Sequence, residues 1–406
     1  MKPSQELLSA PSVLQDALMV QVHSGSISTS AWCNFFCQLK EYQILCWKGD
    51  DDSENSSIEV TIPLTYHTSI SLQPTPTSSS STTPGQFISI TTEEKKPLYA
   101  LAFETEDCLV KWINGIYAIQ RVFQYKRDSE SANCPPCIKF ISFLRTFNDF
   151  LDLSSSILPV DSISIISTFL KNSLQSIILD NCSLNNESLA LFCERFPDFY
   201  NLSYLSLSNN NISREGVVFL VDSLLSTCIS SLILDNNPIG DPGIVEIAEV
   251  LPCLNIKSLS LANCQISCVG IESLSVYLTD SMVSSLNLSF NLIKSDGLLA
   301  LGCVLNCTIP LEILYLESIS EIEDSALETF IKSLTSANLK ELYIGGNHFS
   351  LPIFNTLSEV ACGSTLTKAS LINKDSKFGS VFGTNIGIRN LLTVGFKLEK
   401  FCLKRS

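Results

Sequence analysis

Cys134-Pro135-Pro136-Cys137 has the spacing of a redox-active dithiol. Prolines that open a helix would place a thiol at its positive end, where the thiolate is stabilised. No strand of the kind that precedes such a pair in a βαβ redox unit is evident, so the segment reads as a linker running into a helix start. A zinc site would need a second cysteine pair at ligand spacing, and none follows. His23, His67 and His348 stand alone in the sequence, and nothing around them builds a nucleophile–base pair. Gly383-Thr384-Asn385-Ile386-Gly387 reads as a loop and matches neither a phosphate loop nor a dinucleotide fingerprint. No catalytic residue, metal ligand or cofactor is therefore assigned, and the chain reads as non-enzymatic.

What the residues can do instead is set by charge and burial. The 406 residues carry 26 Lys and Arg against 41 Asp and Glu, a net charge of −15. A basic surface for nucleic acid is thus not expected. With 45% hydrophobic residues the chain can bury two or three domains' worth of core. Sixteen cysteines scattered through apolar segments read as reduced thiols of a cytoplasmic protein. The first twenty residues lack a basic start followed by an apolar block, so no signal peptide is expected. No run of about 18 apolar residues predicts a membrane span.

A repeat fills the last two thirds. The pattern L-x-x-L-x-L-x-x-N/C-x-L recurs as Leu174, Ile177, Leu179, Cys182, Leu184, again as Leu202, Leu205, Leu207, Asn210, Ile212, and onward. Its second position falls at 151, 177, 205, 232, 259, 286, 314, 342, 369 and 401, at intervals of 26 to 28 residues and a final one of 32. Alternating apolar positions predict one short parallel strand per copy, stacked on the next. The Asn or Cys turns the chain inside the stack, where backbone groups need partners. A helical spacing follows each strand, as in Val217, Leu220, Val221 and Leu224. Gly243, Gly270 and Gly297 recur at one packing-limited place on it. Ile319 stands where other copies have Asn or Cys, which predicts a local bulge at 317–322. The long last interval predicts an inserted loop around 377–383.

A strand–helix repeat of this period resembles the ribonuclease-inhibitor-like leucine-rich repeats over 148–406. The resemblance implies an α/β solenoid of about ten repeats, with parallel strands on the concave side and helices on the convex side. Activators of Ran-family GTPases share that period, which would imply an Asn-Arg pair after the strand. Here the turn asparagines are followed by Asn211, Pro238, Leu292 and His348.

The strand face then offers partner-binding candidates: Ile178, Asp180, Tyr204, Ile233, Asp235, Phe290, Tyr315, Glu317 and Tyr343. Most of the strip is small and polar. Tyr315 and Tyr343 fall on consecutive repeats, flanked by Glu312, Glu317 and Glu341. Exposed aromatics are enriched in binding hot spots, and acids beside them point to a protein partner with a basic surface.

Residues before about 145 read differently. Alternating runs at 18–22, 32–39, 43–48, 58–62, 68–72, 86–91 and 98–103 predict an antiparallel barrel or sandwich. The residues Leu109, Trp112, Ile113, Ile116, Tyr117 and Ile119 predict a helix after it. The segment 73–85, containing Pro-Thr-Pro-Thr-Ser-Ser-Ser-Ser-Thr-Thr-Pro, reads as a disordered loop. The words Trp32-Cys33-Asn34-Phe35-Phe36-Cys37-Gln38-Leu39, Leu98–Phe103 and Trp112-Ile113 resemble a pleckstrin-homology domain of the anillin and rhotekin form over 15–127. Residues 128–147 are then a linker and capping helix. The resemblance implies phosphoinositide binding, yet the first loop, 23–30, has no Lys or Arg. Residues 1–127 carry 9 basic against 13 acidic residues. Recruitment to an anionic leaflet needs a basic cluster, and only Lys95, Lys96, Lys126 and Arg127 offer a weak one.

The two modules in this order resemble CARMIL-type actin regulators. The reading is a cytoplasmic scaffold that binds a protein through the strand face, with placement at the cell cortex in cytoskeletal or small-GTPase signalling implied by architecture alone. Lipid recruitment and GTPase regulation are the alternatives.

Overall fold

The computed structural model describes residues 14–24, 27–28, 33–40, 43–47, 60–64, 68–73, 86–91, 97–146, 148–307, 309–319, 322–347, 350, 352–353, 356–357, 359–360 and 364–370. The chain divides into two units, Met1–Phe147 and Asn148–Ser406.

The first unit is antiparallel. Its strands are β1 (Leu14–Ser24), β2 (Ile27–Ser28), β3 (Cys33–Lys40), β4 (Gln43–Trp47), β5 (Val60–Pro63), β6 (Ser69–Gln73), β7 (Gln86–Thr91) and β8 (Pro97–Phe103). They are ordered β5-β4-β3-β1-β8-β7-β6, with β2 folded back on the end of β1. The seven expected strands fall on β1 and β3 to β8. The stretch 23–30, expected as a loop, instead continues β1 to Ser24 and returns as β2, pairing His23 with Ser28. Period-two alternation explains the core: Cys37, Leu39, Ile44, Cys46, Ile62, Ile88, Ile90, Leu101 and Phe103 all point into one buried cluster.

Helix α1 (Glu106–Ser131) follows. The Thr105 hydroxyl accepts from the Cys108 N–H at 3.2 Å, and Glu106 and Asp107 sit at the positive end of the helix. Leu109, Trp112, Ile116 and Ile119 join the sheet's core, with Trp112 6.3 Å from Phe103. Tyr117 lies off that stripe and is 44% exposed, because it follows Ile116 by only a hundred degrees of turn. The helix runs on through Ser131, so position 127 is helical interior and not a module end. The Cys-Pro-Pro-Cys segment links α1 to α2 (Ile138–Thr146). Tyr125 accepts the Cys137 N–H at 2.8 Å and packs edge-on against Phe140, which accounts for the segment structurally. Helix α2 starts after both prolines. Gln73, the first residue of the expected disordered loop, is the last residue of β6; residues 74–85 lie outside the described residues.

The second unit is a parallel α/β solenoid. Its strands are β9 (Phe150–Asp152), β10 (Ser176–Ile178), β11 (Tyr204–Ser206), β12 (Ser231–Ile233), β13 (Ser258–Ser260), β14 (Ser285–Asn287), β15 (Ile313–Tyr315), β16 (Glu341–Tyr343) and β17 (Lys368–Ser370). They stack in chain order. The register runs Leu151, Ile177, Leu205, Leu232, Leu259, Leu286, Leu314, Leu342 and Ala369, nine of the ten expected repeat positions. Position 401, the 377–383 loop and Gly383–Gly387 lie outside the described residues. Between the strands run α3 (Val160–Phe169), α4 (Asn186–Cys193), α5 (Arg214–Leu224), α6 (Gly240–Val250), α7 (Cys268–Leu278), α8 (Lys294–Leu305) and α9 (Asp324–Ser333). A Cβ on Gly270 would lie 2.5 Å from Asp241 Oδ1 and 2.7 Å from Ile244 Cγ2, so this helix position admits no side chain.

Two backbone devices hold consecutive turns together. The first is the buried Asn or Cys. Asn237 donates to the carbonyls of Leu207 and Leu234, both at 2.9 Å, and accepts the Ile212 N–H at 3.1 Å. Asn291 donates to Leu261 and Leu288 and accepts from Cys264 and Ile266. Cys264 has one donor and gives it to the Leu234 carbonyl at 3.3 Å. The second is a left-handed residue just before that position. Ser155, Asn181, Asn209, Asn236, Asn263, Phe290, Ser318 and Gly346 all have φ between 52° and 71°. Seven of these, Gly346 excepted, send an N–H to the next turn, as Asn236 does to Ala262 at 2.8 Å. The register thus survives at Ile319. That side chain is buried, and Ser318 still donates to the Gly345 carbonyl at 2.9 Å. Of the expected bulge, Ser320 and Glu321 lie outside the described residues.

Replacing Asn237 by Ala strips the Ile212 N–H of its partner and takes one side-chain donor from each of the Leu207 and Leu234 carbonyls, which keep Asn210 and Cys264. The expected loss is about 3 kcal/mol of unfolding free energy, read by urea denaturation. Asn237→Cys should lose less, since Cys182 and Cys264 fill the same place.

Candidate binding face

Each strand of the solenoid presents two side chains outward, and the residue two places on presents a third. The middle row runs Ile178, Ser206, Ile233, Ser260, Asn287, Tyr315, Tyr343 and Ser370. This face is less open than the repeat pattern suggested. Ser206 is 2% exposed, and Ser208, Ala262 and Ser289 are also buried. Small side chains on strands about 4.8 Å apart are covered by their neighbours.

Asp180 and Asp235, expected to meet a partner, each hold the next turn with one oxygen. Asp180 Oδ1 accepts from the Ser206 hydroxyl at 2.6 Å and the Ser208 N–H at 2.8 Å. Asp235 Oδ1 accepts from the Ser260 hydroxyl and the Ala262 N–H at the same two distances. Ile178 and Ile233 flank buried Ser206. Tyr204 stands beside them, its hydroxyl pushed up by burial and then by the Asp180 charge.

Tyr315 and Tyr343 occupy paired positions on β15 and β16. Their rings stack at 4.4 Å with planes 10° apart, close to the spacing the strands impose. Lys368, on β17, lies over the Tyr343 ring with Nζ 4.9 Å from its centre. The Tyr343 hydroxyl donates to Glu341 Oε2 at 2.7 Å, and Lys368 Nζ approaches the same oxygen at 3.3 Å. The Tyr343 hydroxyl, seconded by Lys368, holds the Glu341 carboxyl below its ordinary value. Tyr343 and then Glu341 hold the Lys368 ammonium above its own.

The expected acidic rim is thereby corrected. Glu312 is matched by Lys340 at 2.5 Å and Glu341 by Lys368. Glu317 alone of the three has no ion pair among the described residues. Both lysines arrive from one repeat on, about 28 residues away, which is why acids read singly along the chain looked uncompensated. Sequence reasoning missed Lys368 for that reason, although the repeat register could have placed it beside Glu341.

Phe290, adjoining Glu317 through a 2.8 Å N–H to carbonyl bond, is 56% exposed. Its φ of 61° sits in a row otherwise held by Asn, Ser and Gly. Of the basic patch expected in the first unit, Lys95 and Lys96 lie outside the described residues. Lys126 and Arg127 fall on α1, where Arg127 pairs with Asp128 at 3.3 Å. Among the described residues no group of three or more His, Cys, Asp or Glu is placed to hold a metal ion.

A family model for the Leucine Rich repeat matches residues 201–221, 225–248 and 279–302. Residues 201–302 are leucine-rich repeats. No curated protein matches the chain. A solved structure of a TLR13–ssRNA13 complex is similar to it at 21% identity, over 55% of this chain and 32% of that one, with a TM-score of 0.36. Among the described residues no helix is long and apolar enough to cross a membrane.

Two expectations test this geometry. A left-handed backbone costs a bulky residue about 1–2 kcal/mol, and Asn much less. Phe290→Asn should therefore unfold at higher denaturant by about 1 kcal/mol, and a loss of stability would mean that ring contacts outweigh the strain. The lowered Glu341 carboxyl stabilises the fold at neutral pH, and that contribution fades as pH falls from the ordinary 4.5 through the folded-state value. The difference in melting temperature between wild type and Glu341→Gln should be full at pH 7 and close below pH 4.5.

Proposed function

We propose that the chain is a non-enzymatic scaffold that binds a protein partner across the outer face of its parallel sheet, centred on β15 and β16. The stacked Tyr315–Tyr343 pair carries this reading. It is a large, half-buried aromatic surface on a face where many of the other outward side chains are small or hydrogen-bonded to the next turn. Aromatic anchors of this kind dominate interface energetics. Leucine-rich repeats commonly serve as protein-binding modules, which supports the same conclusion.

The first unit is proposed as a second, pleckstrin-homology-like interaction module. Its antiparallel strand order and the helix that buries Trp112 in the core support that reading. A lipid role draws less support, since Arg127 is already paired. Placement in cytoskeletal or small-GTPase signalling rests on architectural likeness alone.

Affinity capture followed by mass spectrometry tests the proposal with wild type, the double variant Tyr315→Ala/Tyr343→Ala, and Phe219→Ala on α5 as a control. The double variant should lose a partner by about tenfold or more, while circular dichroism shows it still folded at the assay temperature. An unchanged capture profile would remove the strand face from the function.

A further inference from the structure

Lys368, Tyr343 and Tyr315 form a column across β17, β16 and β15, with a cation at one end. At the other end Tyr315 is only half-buried. Its paired residue on β14 is Asn287, a shorter side chain. The Asn287 amide is engaged elsewhere, donating to the Ser260 hydroxyl at 3.0 Å and accepting the Ser289 N–H at 3.1 Å. The neighbouring outward residues on that turn, Ser285 and Ser289, are small. Among the described residues the Tyr315 hydroxyl makes no hydrogen bond, unlike that of Tyr343. Glu317, two residues on and on the same face, has no ion pair there either. Phe290 is exposed beside it.

We propose that this end of the column takes the guanidinium of an arginine in the partner protein, stacked on Tyr315 and paired with Glu317. The inference rests on the scaffold reading and names the chemistry the partner must bring. Three observations select that chemistry. The column already holds one cation over an aromatic face, so its other face offers a second cation the same quadrupole attraction. Among the described residues Glu312 and Glu341 are matched by lysines, which leaves Glu317 as the acid of the patch without an ion pair. A planar guanidinium can stack and donate two parallel hydrogen bonds to a carboxylate at once, which a lysine ammonium cannot. The net charge of −15 favours the approach of such a partner.

The test uses the full chain and fluorescein-labelled hexa-arginine and hexa-lysine peptides, followed by fluorescence anisotropy at about 0.15 M salt, where distant charges are screened. Wild type should bind hexa-arginine on the order of three- to fivefold more tightly than hexa-lysine. Tyr315→Phe, which keeps the ring face, should retain that preference, and Tyr315→Leu should lose it. Glu317→Gln should weaken hexa-arginine binding by about threefold, and Asp222→Asn, on α5, should change nothing. Circular dichroism melting checks that each variant is folded. Equal affinity for the two peptides, binding of neither, or a preference that survives in folded Tyr315→Leu would overturn the arginine assignment. Partner capture that still depends on the tyrosine pair would leave the scaffold reading standing without it.

Discussion

The solenoid depends on one interaction, the buried side-chain amide that satisfies backbone groups of two consecutive turns at once. A chain that turns inside a stack has carbonyls and N–H groups cut off from water. Each one left unpaired would cost about 1–3 kcal/mol. Asn210 answers five of them, accepting from Cys182 and Leu184 and donating to Leu179, Leu207 and Ser208. Because three of those five partners, Leu179, Cys182 and Leu184, belong to the preceding turn, the amide fixes register as well as energy. A slip by one residue would orphan both ends.

That register decides what the outer face can be. The amide must follow a residue in the left-handed region, and this residue hands its own N–H to the next turn. Among residues with a side chain asparagine fits that conformation with little strain, and four successive turns use it at 181, 209, 236 and 263. Asp180 and Asp235 add a further tie between turns through Ser206, Ser208, Ser260 and Ala262. The earlier half of the sheet therefore spends its polar groups on itself. From Phe290 onward the pattern changes: the left-handed row carries a phenylalanine, and the middle row carries two tyrosines. Large side chains collect at that end, some of them joined across strands.

The period of 26 to 28 residues made the architecture legible, since each copy repeats the same local demand for burial and for an internal turn partner. All nine described strands centre on the apolar position read from the pattern, and the tyrosine pair was legible as neighbours. What stayed hidden was pairing across turns. Glu312 and Glu341 look like bare acids in sequence, because Lys340 and Lys368 belong to the following copies. Asp180 and Asp235 look like binding groups, because the hydroxyls that claim them lie 25 or 26 residues on. The strain at Phe290 could not be seen in its own residue type. It follows only from aligning 290 with the asparagines of earlier turns. In the first unit the alternation gave the strands, but the end of α1 was masked by a continuous helix through position 127.

Among the turns that follow β10 to β16, one has neither Asn nor Cys at the buried position, and it adjoins the tyrosine pair. Ile319 occupies the amide position of the β15 turn, so the carbonyls there receive no side-chain donor from that residue. In regular turns the Asn oxygen accepts N–H groups from the turn before it, as Asn291 does from Cys264 and Ile266. Asn347, whose preceding turn is the one with Ile319, still donates to Leu316 and Ile344. Its buried Oδ1 has no partner among the described residues. Among the described residues one buried amide oxygen is thus left unpaired between β15 and β16, where the stacked rings span the outer face. Local stability is set by the hydrogen bonds and burial that each unit loses on opening. The tyrosine stack, the Lys340–Glu312 pair and the Lys368–Glu341 pair all join strands in this region from the outside. They supply, on the surface, part of the cohesion that the missing amide withholds from the interior. Under the proposed binding mode a partner seated on Tyr315 would add to the same cohesion, so its binding would oppose opening of this turn.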